Sequence, residues 1–224
     1  VEGGADILEL GIPFSDPIAD GPIIQRATHL ALEQGVTPRD CLGVFRRLRE
    51  VGVEVPLLAM TYYNPILRYG LGKFPKALAQ AGGDGLIVPD LPPEEAADLM
   101  EACRKEALAL VFLLAPTSTL ERIERIARAS TGFIYLVSVE GITGPREGLP
   151  SGLEELVARV RERAESLPLG VGFGVSGPAQ AKAIAGYADG VIVGSAVVRL
   201  CGEQDGPIQV RRFLASLRQA MDGN

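Results

Sequence analysis

The sequence predicts an α/β fold built from parallel strands. Short apolar runs alternate with amphipathic runs along the chain, as expected when every strand is followed by a helix. The chain has 224 residues, 47% of them hydrophobic, and no change of composition marks a boundary, so one domain over residues 1–224 is expected. Two architectures fit this pattern, an open doubly wound sheet and a (β/α)8 barrel.

Seven segments are predicted to form strands, because each is short and apolar. They are residues 5–10, 56–63, 85–90, 108–115, 133–139, 169–175 and 190–193. The fourth is apolar throughout and too short to cross a membrane, so we expect a strand buried on both faces. A closed barrel of this type has eight strands, so we expect one more strand–helix unit before residue 1 or outside this numbering.

Helices are predicted between the strands, where apolar residues recur at helical spacing. The clearest ranges are 23–33, 38–49, 74–81, 93–106 and 196–200. Two Ser/Glu pairs have the spacing of a capping box: Ser118 with Glu121, and Ser151 with Glu154. Each is followed by an apolar stripe: Leu120, Ile123 and Ala127, then Leu153, Leu156, Val157 and Val160. A closing helix is expected to bury Val210, Phe213, Leu214, Leu217 and Met221.

The composition argues against several classes of protein. A net charge of −6 and the absence of Trp disfavour nucleic acid as the main partner. No apolar run reaches membrane-spanning length and no leader pattern opens the chain, so we expect a soluble, cytoplasmic protein. Cys41, Cys103 and Cys201 are odd in number and far apart, which fits neither a disulfide framework nor a metal site. The only histidine, His29, lies among charged residues and is expected at the surface.

Two carboxylates follow one another at the end of the first predicted strand. Glu9 lies in the strand, and Asp20 lies in the loop that follows Gly11 and Pro13. Burial would raise the pKa of Glu9 toward neutrality, where acid/base exchange is most effective, so Glu9 is the candidate acid/base. Asp20 is the candidate ionised acceptor for a substrate N–H or O–H. The alternative for Asp20 is a turn residue, since Asp-Gly-Pro is common in turns.

Further polar residues and glycines follow the other predicted strands. Asp16 and Asp90 each precede a proline-containing turn and have that turn role as their alternative. The glycine segments 172–176 and 194–196 follow the last two strands, where backbone N–H groups and a helix start can bind a phosphate. Their alternative is tight turns. Residues 140–149 are polar, contain three glycines, and are interpreted as a mobile lid or a surface loop.

The segment 8–22, LELGIPFSDPIADGP, resembles the signature of the tryptophan synthase α-subunit family. Shorter matches follow in the family's order at residues 62–65, 89–92, 141–144, 172–174 and 194–195. The resemblance runs along the whole chain and implies a (β/α)8 TIM barrel. It also implies reversible retro-aldol cleavage of indole-3-glycerol phosphate to indole and glyceraldehyde 3-phosphate, with no metal and no organic cofactor in this chain. The family's first strand and its helices have no counterpart in these residues.

The resemblance also implies individual roles. Glu9 would protonate the indole ring carbon at the scissile bond and deprotonate the glyceryl hydroxyl. Asp20 would accept a hydrogen bond from the indole N–H and stabilise the cation. Thr143 would close with the lid and orient Asp20. The candidate substrate-binding residues are Tyr62, Tyr135, Thr143, Gly144, Gly172, Gly174, Gly194 and Ser195.

The family implies a partner, a β subunit that binds pyridoxal phosphate and receives indole through a tunnel in an α2β2 complex. The residues expected to face it are Ser15, Asp16, Pro17, Asn64, Asp90 and Pro92. Two alternatives remain open. One is another phosphate-binding barrel enzyme, since the fold alone does not determine the reaction. The other is a weakly active chain that mainly binds and activates the β partner.

Overall fold

A computed structural model describes residues 1–137, 152–164, 167–172 and 174–223. The chain separates into two compact units, one formed by Val1 with Asp6–Phe112 and the other by Glu2–Ala5 with Leu113–Asn224. Each unit holds a four-stranded parallel sheet with helices following its strands. The predicted alternation of strands and helices is therefore confirmed in the described residues.

The sheet of the first unit has its strands in chain order, β1-β2-β3-β4. Every neighbouring pair is parallel, and Glu9 on β1 lies opposite Leu58 on β2. The strands are β1 Leu8–Gly11, β2 Leu57–Met60, β3 Gly85–Ile87 and β4 Ala109–Val111. Parallel neighbours cannot be joined by a tight hairpin, so the chain crosses over through helices between them.

Five α-helices and one 3₁₀ turn belong to the first unit. They are α1 Pro22–Glu33, α2 Pro38–Glu50, α3 Tyr63–Tyr69, α4 Lys73–Gln80, the 3₁₀ turn Pro93–Glu95 and α5 Ala97–Lys105. The α2 helix begins with a complete capping box, in which Thr37 and Asp40 bind each other's backbone N–H. Apolar helix residues and central strand residues are buried together: Phe45, Ile66, Phe74, Leu78, Leu99, Leu57, Leu86 and Ile87.

The second unit repeats this arrangement with the strand order β5-β6-β7-β8, again all parallel. Its strands are β5 Leu113–Leu114, β6 Ile134–Val137, β7 Leu169–Gly172 and β8 Gly190–Val191. Its helices are α6 Leu120–Ala129, α7 Leu153–Arg161, α8 Pro178–Ala185, α9 Ser195–Cys201 and α10 Gly206–Asp222. The predicted stripe on α7 is confirmed, because Leu153, Leu156, Val157 and Val160 are all buried.

Four sequence predictions of element boundaries were wrong. The segment 108–115 is not one strand: it divides at Phe112, and β4 pairs with β3 while β5 pairs with β6. The segment 56–63 ends as a strand at Met60, because Tyr63 already begins α3. The helix expected at 93–106 is interrupted after the 3₁₀ turn.

The fourth error concerns the start of α6. Thr119, rather than Ser118, is the N-cap, and its hydroxyl accepts a hydrogen bond from the N–H of Arg122. Ser118 instead accepts from the N–H of Ala115. This shift leaves Leu120 at the exposed helix start, with 45% of its surface accessible, whereas Ile123 and Ala127 are buried as predicted. The second predicted capping box includes Ser151, which lies outside the described residues.

The closing helix α10 was predicted correctly as a helix, and its apolar face is only partly buried. Leu217 is 3% exposed, and the other members of that face are half-buried. The helix packs against α8 and α9. Residues 2–5 belong to the same unit, and the Arg218 guanidinium donates to the carbonyl of Gly4 at 2.9 Å.

The same Arg–Asp arrangement occurs at the N-terminal strand ends of both units. In the first unit Arg49 binds Asp84 and the carbonyl of Gly82, and Asp84 accepts from the N–H of Leu57. In the second unit Arg161 binds Asp189 and the carbonyl of Tyr187, and Asp189 accepts from the N–H of Leu169. We call these the first and the second Arg–Asp clamp. Each ties the first residue of one strand to the residue just before the next strand.

No helix among the described residues is both long enough and apolar enough to cross a membrane.

Candidate active site

Glu9 is held by the sheet of the first unit. Its strand pairs with β2, and the N–H of Ile12 just beyond it donates to the carbonyl of Met60 at 2.9 Å. The side chain is half-buried, and desolvation by the surrounding protein raises its pKa from 4.5 to about 7. The carboxyl can therefore take up and release a proton near neutral pH, as the sequence predicts for an acid/base.

Asp20 lies at the end of a compact turn in the loop after β1. Its N–H donates to the carbonyl of Pro17 at 3.0 Å, and its own carbonyl accepts from the Gln25 side chain at 2.7 Å. The N-cap of α1 is Gly21, and no side chain caps this helix. The backbone of Asp20 therefore makes the turn predicted as its alternative role, while its carboxylate does not serve as the cap of α1.

Tyr62 is the buried neighbour of this loop. It is 4% exposed, and its hydroxyl accepts a hydrogen bond from the N–H of Ala19 at 2.9 Å. Burial and the charge of Asp20 raise the pKa of the Tyr62 phenol. The Tyr62 ring packs on Phe14, with ring centroids 5.3 Å apart.

Asp90 follows β3 and reaches the start of α3. Its Oδ1 accepts a hydrogen bond from the N–H of Tyr63 at 2.9 Å, so the carboxylate satisfies one N–H of the first helical turn. This is the turn role predicted as its alternative. Asn64 is the next residue of α3 and is exposed.

The other predicted partner-facing residues lie in exposed or half-exposed loops of the first unit. Ser15 and Asp16 are exposed, and the Ser15 hydroxyl donates to the Asp16 carboxylate at 2.5 Å. Pro17 and Pro92 are half-buried. Ile18, between Pro17 and Ala19, is 76% exposed. The loop after β1 therefore presents both charged and apolar groups to its surroundings.

Tyr135 and Gly172 are neighbours on β6 and β7 of the second unit. A Cβ atom added to Gly172 would lie 2.9 Å from Cε2 of Tyr135 and 3.2 Å from its hydroxyl. The missing side chain therefore makes room for the Tyr135 ring, which is 9% exposed. The sequence predicts both residues to contact substrate, and the structure adds that the glycine positions the tyrosine.

The glycines after β7 and β8 have different conformations. Gly174 has φ +63°, in the left-handed region, and an added Cβ would meet none of the described residues within 4 Å. Gly194 is the N-cap of α9, and its added Cβ would likewise meet no described residue. The helix predicted at 196–200 is confirmed and begins one residue earlier, at Ser195. Within the described part of the chain these backbones are uncovered, which suits the binding of a phosphate.

Several predicted features lie outside the described residues. They are Thr143, Gly144 and the lid segment 140–149.

Three residues that belong to the surroundings of the carboxylates were not singled out by the sequence. They are Phe14, Ala19 and Tyr63, which act through a ring face or a backbone N–H. Such contacts carry no sequence signal, because any residue supplies a backbone N–H.

The histidine and cysteines take no part in these clusters. His29 is exposed, as predicted, and lies 3.2 Å from Glu33 one turn away. All three cysteines are free, and burial raises the pKa of the Cys103 thiol to about 12, which makes it unreactive. In the part of the chain that the structure describes, no three His, Cys, Asp or Glu residues are grouped as a metal site would need.

Parallel strands in chain order, with helices between most of them and with carboxylates and glycine turns near the carboxyl ends of strands, are typical of an enzyme of the (β/α)8 class. The family model described as tryptophan synthase alpha chain matches residues 1–223. The chain therefore belongs to the tryptophan synthase alpha chain family, the lyases that catalyse the α reaction of tryptophan biosynthesis.

Individual relatives agree with the family. The tryptophan synthase alpha chain of Dehalococcoides mccartyi is 52% identical over 221 residues, which are 99% of this chain and 86% of the relative. That of Roseiflexus sp. is 49% identical over 218 residues, covering 96% of this chain and 83% of the relative.

Solved structures agree as well. The tryptophan synthase of M. tuberculosis in space group F222 matches with a TM-score of 0.90 and 45% identity, covering 98% of this chain and 82% of that chain. The tryptophan synthase alpha chain of Legionella pneumophila subsp. pneumophila matches with a TM-score of 0.88 and 38% identity, covering 99% and 82%. The predicted (β/α)8 fold class is thereby confirmed.

Proposed function

We propose that this chain cleaves indole-3-glycerol phosphate reversibly to indole and glyceraldehyde 3-phosphate, with Glu9 as the acid/base. The observation that carries the proposal is the carboxyl of Glu9, whose pKa is about 7 because of desolvation. A group of this kind is half-protonated near neutral pH and can serve as acid in one step and base in the next.

The reaction needs two proton transfers at different atoms. Glu9 first gives its proton to the indole ring carbon that carries the glyceryl chain, which leaves a cation on the ring. The ionised Glu9 then takes the proton of the adjacent glyceryl hydroxyl. The O–H electrons form the aldehyde carbonyl, and the electrons of the breaking C–C bond return to the ring. The products are indole and glyceraldehyde 3-phosphate, and Glu9 is protonated again.

Asp20 is proposed to accept a hydrogen bond from the indole N–H. Its negative charge would stabilise the ring cation, which exists only along the reaction path, and thereby raise the rate. The support for this role is that the carboxylate is not used to cap α1, and that the residue before it, Ala19, donates a hydrogen bond to the buried hydroxyl of Tyr62.

The phosphate is proposed to bind the glycine turns of the second unit. Gly174 and Gly194 offer open backbone, and Ser195 begins a helix whose N-terminal N–H groups attract anions. Tyr135, positioned by Gly172, would contact the glyceryl part. Thr143 and Gly144 complete the proposed set and lie outside the described residues.

A tryptophan synthase β subunit is the proposed partner, in an α2β2 complex in the cytoplasm. The proposed contact residues are Ser15, Asp16, Pro17, Asn64, Asp90 and Pro92. No cofactor is proposed for this chain, and the pyridoxal phosphate of the complex would belong to the β subunit. The support is the exposed, mixed polar and apolar character of the loop after β1.

The test is indole release from indole-3-glycerol phosphate by the purified chain, with and without a β subunit. Slow release that the β subunit accelerates would support both the reaction and the partner. Indole release that occurs only when the β subunit is present would favour the alternative of a weakly active chain that mainly binds and activates its partner. No release in either case from a folded sample would refute the proposal.

Variants assign the roles. Glu9→Gln is expected to abolish release and to leave phosphate-ligand binding within about twofold, since the amide is isosteric and cannot exchange the proton. Asp20→Asn is expected to lose about a hundredfold or more, because the charge that stabilises the cation is removed. Glu54→Gln is the matched control, since Glu54 is an exposed glutamate of the same unit. Normal turnover by Glu9→Gln would exclude Glu9 as the acid/base.

A further inference from the structure

Tyr62 occupies an unusual place among the tyrosines of this unit. Its backbone ends the stretch after β2 and is the N-cap of α3, while its side chain is 4% exposed and packs on Phe14. Phe14 belongs to the loop that carries Asp20. The ring of Tyr62 therefore connects the start of a helix with the loop of the candidate catalytic carboxylate.

The hydroxyl of Tyr62 binds the backbone of that loop directly before Asp20. It accepts a hydrogen bond from the N–H of Ala19 at 2.9 Å. Burial and the negative charge of Asp20 raise the pKa of the phenol. The hydroxyl is therefore held against the residue that precedes the candidate catalytic carboxylate.

We propose that Tyr62 is a positioning residue, which acts through Asp20 and does not itself contact the reacting atoms. Its hydroxyl fixes the backbone of the loop at Ala19, and its ring packs on the loop at Phe14. The carboxylate of Asp20, on the residue after Ala19, is thereby held where it can accept from the indole N–H. This inference rests on the proposed function, because it assumes that Asp20 accepts from indole. The substrate contact predicted for Tyr62 from the sequence is the alternative that the experiments below distinguish.

Asp90 supports the same arrangement from the other side. It accepts from the N–H of Tyr63, so the chain is held at the residue directly after Tyr62. Its negative charge also adds to the raised pKa of the Tyr62 phenol. The path from Asp90 to the loop of Asp20 therefore consists of the hydrogen bond from Tyr63 to Asp90, the ring of Tyr62, and the hydrogen bond from Ala19 to the Tyr62 hydroxyl.

The first experiment measures binding of indole and of 1-methylindole to the full chain and to Tyr62→Phe. The chain contains no Trp, so the indole fluorescence comes from the ligand alone. Indole can donate an N–H to Asp20, and 1-methylindole cannot. Tyr62→Phe keeps the ring and removes only the hydroxyl, so we expect indole to bind about tenfold more weakly and 1-methylindole to bind within about twofold of the wild type.

The matched control is Tyr69→Phe, at the end of α3, the helix that follows Tyr62; the ring of Tyr69 packs edge-on against Phe74. It is expected to change neither affinity. Equal weakening of both ligands by Tyr62→Phe would show that the phenol acts on the ring site directly and would overturn the inference. Unchanged affinity for indole would do the same.

The second experiment is a double-mutant cycle on kcat for indole release. Tyr62→Phe is expected to lower kcat by about tenfold to a hundredfold in the wild-type background, with a smaller change in KM. In the Asp20→Asn background the same change is expected to cost less than about twofold, because the two residues act as a unit. Additive losses would overturn the inference while leaving the proposed function intact.

The proposed reaction and the positioning role of Tyr62 can be refuted by different results. A wild-type chain that binds indole and shows the expected Tyr62→Phe difference, but releases no indole from substrate, would refute the proposed reaction only. A wild-type chain that binds neither ligand would show that Asp20 does not serve indole, and both would then be wrong.

Discussion

The guanidinium of Arg49 lies 2.5 Å from the carboxylate of Asp84, which is 35 residues further along the chain. Arg49 also donates to the carbonyls of Gly82, Val53 and Val55. An exposed ion pair alone contributes little, but here the carboxylate is also the acceptor for a backbone N–H at the start of a strand. The pair therefore holds the backbone at the start of β2 and the backbone just before β3.

The first prediction concerns this clamp. Asp84→Ala leaves the N–H of Leu57 without its acceptor and Arg49 without its counter-charge, so the free energy of unfolding is expected to fall by about 1–3 kcal/mol. Asp84→Asn keeps an acceptor and should lose less. Urea unfolding measures both, with the exposed Asp98→Ala as control, expected within about 0.5 kcal/mol of the wild type. If Asp84→Ala behaves like the control, the clamp contributes nothing to stability.

The second prediction follows from the pKa of Glu9. Burial raises it from 4.5 to about 7, so the folded chain binds this proton more tightly than the unfolded chain. The stability that this group contributes is fully present below pH 4.5 and is lost as the pH rises through about 7. The wild type should therefore lose about 1–3 kcal/mol relative to Glu9→Gln between about pH 5 and about pH 8.

Unfolding of both proteins at several pH values measures this difference, and Glu54→Gln is the control for a glutamate in water. A pH-independent difference between the wild type and Glu9→Gln would mean that Glu9 keeps an ordinary pKa in the folded chain.

The third prediction separates backbone strain from ligand crowding at Gly174. Gly174 and Gly35 both have left-handed φ values, +63° and +73°, and at either one an added Cβ would meet none of the described residues within 4 Å. Gly174→Val and Gly35→Val should therefore cost similar stability, about 1–2 kcal/mol. Only Gly174→Val is expected to weaken binding of a phosphate ligand, by about tenfold or more. Equal affinities in calorimetric titrations would place the phosphate elsewhere.

The fourth prediction concerns the room that Gly172 leaves for Tyr135. The added Cβ of Gly172→Ala would lie 2.9 Å from the ring, so the ring must move. We expect KM for the substrate to rise severalfold, because a displaced side chain no longer matches the ligand. Gly190→Ala is the control on the neighbouring strand, since its Cβ would lie 3.8 Å from Gly170, an ordinary contact. A crystal structure of Gly172→Ala with an unmoved Tyr135 would contradict the argument.

The sequence predicts the strands well where an apolar run coincides with a buried position, as at Leu57, Leu86 and Val171. It predicts Glu9 because a carboxylate in such a run is costly, and the raised pKa of Glu9 has that cause. It fails at Tyr62 and Tyr63, where aromatic residues favour a strand and the backbone already turns into α3.

The sequence also does not predict the strand break at Phe112, because no local pattern distinguishes one buried strand from two that pair with different neighbours. The hydrogen bond between Tyr62 and Ala19 could not be predicted for a similar reason. Its partners are 43 residues apart and one of them is a backbone N–H, so only the folded chain reveals it.

The two Arg–Asp clamps lie at the starts of strands, whereas Asp20 lies in the loop after β1 and the candidate phosphate glycines lie after β7 and β8. Substitutions in the loops after the strands can therefore change what is bound or cleaved without disturbing what holds the strands in register. Laboratory evolution toward a new substrate should accumulate its changes in those loops and keep Arg49, Asp84, Arg161 and Asp189 unaltered. The fold thus places the loop residues that determine binding apart from the clamp residues that stabilise the strands.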